Sequence, residues 1–289
     1  MSRVYAQHLI RGAVGGLSAY VKPGGLHRLR PERIFEEVVC NILSQYDILV
    51  EAWETGDKIR RGDLAVTHLE LGKLLARSMR EAYRVCDASH PEFTSPLIIY
   101  SLTLGASGVE SVASDASRFK KMFEALLSLS KWSDVKTFID ALQSVQRKDM
   151  YEHLTATGLN TVALIHTGSS FNDVFKVLSS KWPGFELLDA REFRLLEYLK
   201  NLLSIYQKTK DGASAAVILY LQLSLHHMPK DLAAVAEEVT KSPKVLDMED
   251  IKKLLKIDAE LKKRGIDLKG YTEVVAGVSA IGAIEGVRF

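Results

Sequence analysis

Apolar residues recur along most of the chain at the spacing of three or four positions that lines one face of an α-helix. Ile34, Val38 and Ile42 follow this spacing, and Pro31 is suited to the first turn of the helix they predict. Neither the alternation of a half-buried strand nor the strand–helix alternation of a parallel sheet is evident. The pattern therefore predicts an all-α protein.

Capping residues place several helix ends. A helix is predicted over residues 63–86, and Asp189 with Glu192 resembles a capping box at the start of another. Asp247 is a favourable N-cap for a later helix, which Gly265 should end after a basic last turn.

Three segments are apolar on every side and belong in an interior. The run 97–102 is predicted as a core helix rather than a buried strand, and 213–225 as a helix surrounded by others. The stretch 272–286 is rich in Ala, Gly and Val, so its helix can approach its neighbours closely at the centre of the bundle. Periodicity lapses only near 149–158, which is a weak boundary. We therefore predict a single-domain multi-helix bundle over 1–289 with a buried small-residue C-terminal helix.

Composition and charge narrow the class of protein. The chain is 47% hydrophobic and 26% charged, with a net charge of +2, which is ordinary for a globular protein and gives no reason to expect nucleic acid or a membrane as partner. Cys40 and Cys86 lie far apart in apolar helical patterns, and we expect them to be free thiols in a reducing compartment. No signal peptide is evident, and the predicted location is cytoplasmic.

One interruption between helices carries most of the candidate chemistry. Its sequence is Lys22-Pro23-Gly24-Gly25-Leu26-His27-Arg28, called the 22–28 turn below. Proline and two glycines cannot continue a helix, glycines let backbone amides approach a ligand, and Lys and Arg donate to phosphate. The segment is thus either an anion-binding turn or a solvated helix–helix loop.

Two later helix starts are comparable. Ser170 is a reasonable N-cap, and a helix N-terminus there would also suit phosphate. Thr272 could cap the last helix, with Glu273 in its first turn, where a carboxylate could hold Mg²⁺ together with substrate phosphates.

Several short blocks, taken in order, resemble one known family. They are Lys22-Pro23-Gly24, His27-Arg28, Phe35-Glu36-Glu37, the stretch 72–104, His166-Thr167-Gly168 and Gly270-Tyr271-Thr272-Glu273. Together they resemble the triphosphoribosyl-dephospho-coenzyme A synthase family, in particular its short archaeal-type branch. Each block is weak alone, and the resemblance rests on their order and spacing over nearly the whole chain.

The resemblance implies an all-α transferase. Such enzymes displace adenine from ATP and join the triphosphoribosyl group to a ribose hydroxyl of dephospho-coenzyme A, with Mg²⁺ as the implied cofactor. The implied ligand-binding positions are Lys22, Gly24, Gly25, Arg28 and Thr272. The implied catalytic positions are His27, Glu36 and Glu273, of which Glu36 and Glu273 would also hold the metal.

The chain departs from the family pattern at several polar positions. Gly25 stands where the family has Asn, Glu273 where it has Asp, and His90-Pro91-Glu92-Phe93-Thr94 where it has an Asn-rich loop. An alternative is therefore a degenerate member that binds nucleotide or a protein partner without catalysis. A third possibility is a helical interaction module, and a homodimer is compatible with each.

Overall fold

The structure, a computed structural model, describes residues 1–29 and 32–289; Arg30 and Pro31, and with Pro31 the predicted helix start, lie outside the described residues. Every regular element in the described part is helical, which confirms the all-α prediction. The α-helices are α1 Ser2–Ser18, α2 Arg33–Leu43, α3 Tyr46–Arg61, α4 Leu71–Cys86, α5 Pro91–Ser107, α6 Ala116–Ser128, α7 Trp132–Ser144, α8 Lys148–Ala156, α9 Thr161–Thr167, α10 Phe171–Ser179, α11 Arg194–Thr209, α12 Gly212–Ser224, α13 Lys230–Lys241, α14 Met248–Lys263 and α15 Lys269–Ile284. Short 3₁₀ helices cover Val66–His68, Pro183–Leu188 and Leu225–His227.

The small-residue helix α15 lies at the centre of the bundle, as predicted. Its residues 272–283 are all buried. Helix α1 packs directly on it, because a Cβ on Gly12 would lie 2.2 Å from the Ser279 carbonyl oxygen and one on Gly16 would lie 2.4 Å from Ser279 Oγ. Only glycine permits this approach at these two positions of α1.

Helix α5 is the second interior helix and is buried along its whole length. The run 97–102 lies within it, which confirms the prediction of a core helix. A pair of glycines allows α3 and α5 to cross closely. A Cβ on Gly56 would lie 2.2 Å from the Leu102 carbonyl oxygen, and one on Gly105 would lie 2.1 Å from the Trp53 carbonyl oxygen.

The predicted helix starts are partly wrong. Residues 63–86 do not form one helix: α4 begins only at Leu71, after the 3₁₀ turn Val66–His68. Asp189 does not start α11; its Oδ1 instead accepts from the Arg191 and Glu192 amides in a separate turn, and α11 begins at Arg194. In both regions a local turn intervenes before the amphipathic helix.

Two further predictions concern the ends of α14 and a domain boundary near 149–158. Asp247 caps α14 and Gly265 follows its last turn with φ +68°, as predicted. The weak boundary at 149–158 is instead the short helix α8, whose Met150 and Leu154 join the common core, so the chain forms one helical domain.

The prediction of free thiols is wrong. Cys40 on α2 and Cys86 at the end of α4 form a disulfide, with their Cα atoms 5.9 Å apart. The two cysteines are 46 positions apart in the sequence, and the packing of α2 beside α4 brings them together. The sequence pattern alone therefore does not indicate the pairing. None of the helices in the described part has the length and apolar character needed to cross a membrane.

Candidate functional site

The 22–28 turn follows α1, and the side chain of its lysine points into the protein. Lys22 is completely buried, and its Nζ donates to the Leu17 carbonyl at 2.7 Å and to the Ala19 and Leu26 carbonyls at 3.4 Å each. Burial, aided by the charge of Arg28, lowers the pKa of Lys22 to about 7. The side chain satisfies carbonyls at the end of α1, where a helix leaves its last carbonyls without partners.

The backbone of the turn is held by three other helices. Asp258 of α14 accepts from the Gly24 amide at 2.8 Å, and the Gly24 carbonyl accepts from the Leu268 amide at 2.9 Å. Thr272 of α15 accepts from the Leu26 amide at 3.1 Å, and the Tyr220 hydroxyl of α12 donates to the Pro23 carbonyl at 2.7 Å. Thr272 therefore does not cap α15, which begins three residues earlier, but anchors the turn.

Both glycines of the turn are needed for this docking. Gly24 has φ +73°, a left-handed conformation that L-residues rarely adopt. A Cβ on Gly25 would lie 2.7 Å from Thr272 Oγ1 and 2.8 Å from the Tyr220 hydroxyl oxygen. The glycines bring the turn close to the protein itself, and its described amides already have protein acceptors at Gly24, Gly25 and Leu26.

His27 and Arg28, which follow one another in the turn, differ in exposure. His27 is completely buried, and within the described residues neither ring nitrogen makes a hydrogen bond, although Nε2 lies 3.6 Å from Asp258 Oδ2. Arg28 is exposed, with its guanidinium 5.8 Å from the centroid of the Tyr20 ring. Glu36 is exposed on α2.

Glu273 lies in a different environment, one turn into α15. The residue is 7% exposed, and its Oε2 accepts from the Gly184 amide at 2.8 Å. Burial raises the pKa of Glu273 well above its usual range, and the nearby charge of Glu92 raises it further against the smaller opposing effect of the Gly184 amide. The carboxyl is therefore neutral at pH values where an exposed Glu is ionised.

An open cavity of about 510 Å³ borders this carboxyl; we call it the α15 cleft. Its lining includes Lys181, Pro183, His227, Lys269, Tyr271 and Glu273. Lys181 is exposed, with Nζ 5.1 Å from the centroid of the Trp182 ring, and it forms no ion pair with any described residue. Lys269 pairs with Glu32 at 3.0 Å, and the ring centroids of His227 and Tyr271 lie 5.2 Å apart.

The structure thus distributes the predicted site residues over two places and the surface. Lys22, Gly24, Gly25, His27 and Thr272 form or anchor the buried turn, and Glu273 alone borders the α15 cleft. Arg28 and Glu36 are exposed, and neither lines that cleft. The turn and the cleft are neighbours, because the Leu268 amide donates to the Gly24 carbonyl and Leu268 also lines the cleft.

Sequence reasoning missed the cleft residues outside α15. Lys181 lies just before a 3₁₀ helix, Pro183 is the first residue of that helix, and His227 ends another. The signal available was modest: a Lys-Trp-Pro-Gly run at 181–184 combines a cation, an aromatic ring and a helix-breaking pair, like the 22–28 turn.

The residues that the structure describes do not form a resident Mg²⁺ site. Of the two implied ligands, Glu36 is exposed on α2 and Glu273 is buried on α15. Across 1–29 and 32–289, no three His, Cys, Asp or Glu side chains are grouped so as to hold a metal. Protein ligands for magnesium are carboxylates and other oxygens that converge, and such a set is not formed here.

Comparisons with known proteins give no further identification. No family model, no curated protein and no solved structure matches the chain.

Proposed function

We propose that the α15 cleft binds ATP or a related nucleotide, and that the protein is a transferase similar to triphosphoribosyl-dephospho-coenzyme A synthase. The observation that carries the proposal is the position of Glu273, the acidic residue of the last family-like block, at an open cavity with two lysines in its lining. A cavity of this size suits a small phosphorylated ligand.

The cleft offers groups for the phosphates and for the base of a nucleotide. Lys181 supplies a cationic donor for phosphate, and the Tyr271 ring supplies an aromatic wall. Lys269, which pairs with Glu32 and Asp267, would supply a second donor on exchanging these carboxylates for phosphate. Magnesium would enter as the counter-ion of the ATP phosphates, since the described residues form no resident site. A second cavity of similar volume, lined by Arg60, Arg118 and Lys121 among others, contains no buried carboxyl and is the poorer candidate.

In the proposed reaction, an acceptor hydroxyl oxygen forms a bond to C1′ of the ribose, and the bond from C1′ to adenine breaks. The hydroxyl loses a proton and the departing adenine gains one. A neutral carboxyl such as Glu273 could give a proton to adenine, and its carboxylate could then take the proton of the acceptor, which balances the step. A dephospho-coenzyme A-like molecule is the expected acceptor.

A second candidate function is nucleotide binding without transfer. The observation that favours it is the burial of Lys22 and His27, which the resemblance would place on phosphate or ribose but which face other parts of the protein.

One experiment tests both functions. The protein is incubated with ATP, Mg²⁺ and dephospho-coenzyme A, and free adenine is measured by chromatography while ATP affinity is measured by calorimetry. Transfer predicts adenine release that Glu273→Gln abolishes, and binding that Lys181→Ala weakens. The surface variant Lys253→Ala is the control, since Lys253 pairs with Glu249 on α14 and does not line the cleft. Binding without adenine release supports the second function, and absence of ATP binding contradicts both.

A further inference from the structure

A buried array of charged side chains lies behind the α15 cleft. It consists of Glu37, His90, Glu92 and Arg147, called the Arg147 array below. Arg147 donates to Glu92 Oε2 at 2.6 Å, and the two ring nitrogens of His90 lie 3.2 Å from Glu92 Oε1 and 3.4 Å from Glu37 Oε2. The side chains of Glu92, His90 and Arg147 are 7%, 12% and 14% exposed.

Arg147 binds several elements at once. Besides Glu92 it donates to the Ser89 carbonyl at 3.1 Å and forms two bonds of 3.0 Å to Asp149. Its guanidinium lies 5.8 Å from the centroid of the Trp182 ring. A planar guanidinium can make these bonds and lie over the ring together, whereas an ammonium group cannot.

The array is in contact with Glu273 through Gly184. The Gly184 amide donates to Glu273 Oε2 at 2.8 Å, and a Cβ at Gly184 would lie 2.5 Å from the Glu92 carbonyl oxygen and 2.8 Å from Glu273 Cβ. The segment 181–184, which contributes Lys181 and Pro183 to the cleft, is therefore held at Trp182 by Arg147 and at Gly184 between Glu92 and Glu273.

We propose that Arg147 and Glu92 are positioning residues for the α15 cleft: they hold segment 181–184 and Glu273 in the geometry that a phosphorylated ligand requires. This inference rests on the proposed function for the nature of the ligand. The contacts that carry it are those of Arg147 with Trp182 and with the Glu92 carboxylate, and those of Gly184 with the Glu92 main-chain carbonyl and the Glu273 carboxyl.

The charges of the two carboxyls are consistent with this role. Burial opposes ionisation of Glu92, but Arg147 and His90 outweigh it and lower the pKa of Glu92 to about 2. Glu273 forms no ion pair with a cation of the described residues. Its pKa is raised by burial and by Glu92, while the Gly184 amide and Arg147 oppose this rise and Asp267 adds to it. One carboxylate is thus charged and its neighbour neutral, an arrangement that separates acid and base roles.

Stability alone does not explain the array. A buried ion pair is on average no more stabilising than apolar residues of similar volume. The array also lies where it determines the position of cleft residues, so the test must include measurements that a purely structural role would leave unchanged.

The test compares Arg147→Lys and Glu92→Gln with the wild-type chain. Arg264→Lys is the matched control, because Arg264 makes a similar two-bond pair with Asp231 on the surface. Three quantities are measured: hydrogen exchange of the Gly184 amide, the titration of Glu273 from infrared difference spectra against Glu273→Gln, and ATP affinity by calorimetry.

We expect Arg147→Lys to speed exchange at Gly184 and to weaken ATP binding roughly tenfold to a hundredfold, as small misplacements of binding groups do. Glu92→Gln should move the Glu273 titration to lower pH, because a negative neighbour is removed. Arg264→Lys should change none of these quantities. If Glu92→Gln folds poorly, the double variant Glu92→Gln/Arg147→Gln, which removes both members of the buried pair, replaces it in the same measurements.

The outcomes separate this inference from the proposed function. Unchanged Gly184 exchange and an unchanged Glu273 titration in the array variants overturn the inference, whether or not ATP binds. If both change as expected but the wild-type chain does not bind ATP, the array positions the cleft and the proposed ligand is wrong. Equal effects in Arg264→Lys also overturn the inference, since a substitution away from the cleft would then change the cleft as much as one in the array.

Discussion

The 22–28 turn and the segment 181–184 are similar in sequence and opposite in structure. Each places a lysine before proline and glycine, with an aromatic or titratable side chain nearby. In the first, Lys22 is buried and its ammonium is bound by three carbonyls; in the second, Lys181 is exposed beside an open cavity. A motif of cation and glycine therefore does not decide between anchoring the protein and binding a ligand.

Both glycines pack closely against other parts of the protein, and the two regions differ in whether the group that the glycine contacts borders a cavity. Gly25 contacts Thr272 and Tyr220, so the close approach that glycine permits is used within the protein. Gly184 donates to a carboxyl that borders solvent-accessible space. We therefore expect substitutions in the turn to change stability, and substitutions at the cleft to change ligand affinity.

Lys22→Met should have the largest effect on stability. Each buried carbonyl left without a donor costs ~1–3 kcal/mol, so we expect a loss of about 3 kcal/mol in the free energy of unfolding at pH 9, measured by urea titration. The control Lys181→Met, at an exposed position, should change stability by less than about 0.5 kcal/mol.

The effect of Lys22→Met should also depend on pH. The pKa of Lys22 is about 7 in the folded protein against 10.5 in the unfolded chain, so between these values the unfolded state binds more protons. Wild-type stability therefore gains a contribution that grows as pH rises from 7 to 10.5, and the variant lacks it. A difference between variant and wild type that is constant from pH 6 to 10 would show that Lys22 is not buried.

Gly25→Ala should have the next largest effect. Its Cβ would meet two groups fixed by their own hydrogen bonds, Thr272 Oγ1 and the Tyr220 hydroxyl, and overpacking of this kind costs ~1–3 kcal/mol. In the matched control Gly277→Ala the new Cβ meets mainly the end of the flexible Leu187 side chain. Equal losses of thermal stability in the two variants would mean that the turn is not tightly docked.

Glu273→Gln, at the cleft, should change the free energy of unfolding with a pH dependence opposite to that of Lys22→Met, in the turn. Because the pKa of Glu273 is raised in the folded protein, the unfolded chain releases its proton first, and wild-type stability falls as pH rises above about 4.5. The variant cannot ionise, so it should gain on wild type by up to ~1.4 kcal/mol per pH unit until Glu273 ionises in the folded state. Parallel stability curves from pH 4 to 9 would contradict a neutral buried carboxyl.

Much of the fold could be predicted from the sequence, and less of the site. Strong local signals predicted the right structure. Asp247 caps the start of α14 and Gly265 follows its end, as predicted, and most of the small-residue stretch 272–286 lies in the central helix α15. The disulfide of Cys40 with Cys86 depended on the packing of two helices, which no local pattern contains.

The site failed to follow from the sequence for the same reason. The burial of Lys22 depends on groups more than 190 positions away, including Tyr220, Asp258 and Thr272, which close the turn from outside. Glu273 was a candidate, but its partner Gly184 and the neighbouring Glu92 lie far from it along the chain. Periodicity places side chains on helix faces, and only the packing of those faces assembles a site.

Arg28→Ala should have the smallest effect and tests the comparison most directly. Arg28 is exposed, and its contact with the Tyr20 ring is worth about 0.5–1 kcal/mol at such a position. If the turn serves only as an anchor, the variant keeps its ATP affinity within about twofold while Lys181→Ala loses it, both measured by calorimetry under the same salt conditions. The family resemblance implies the reverse, since it places Arg28 on phosphate. A large loss of ATP affinity in Arg28→Ala alone would therefore indicate that ATP binds at the 22–28 turn. The turn would then bind a ligand as well as anchor the protein.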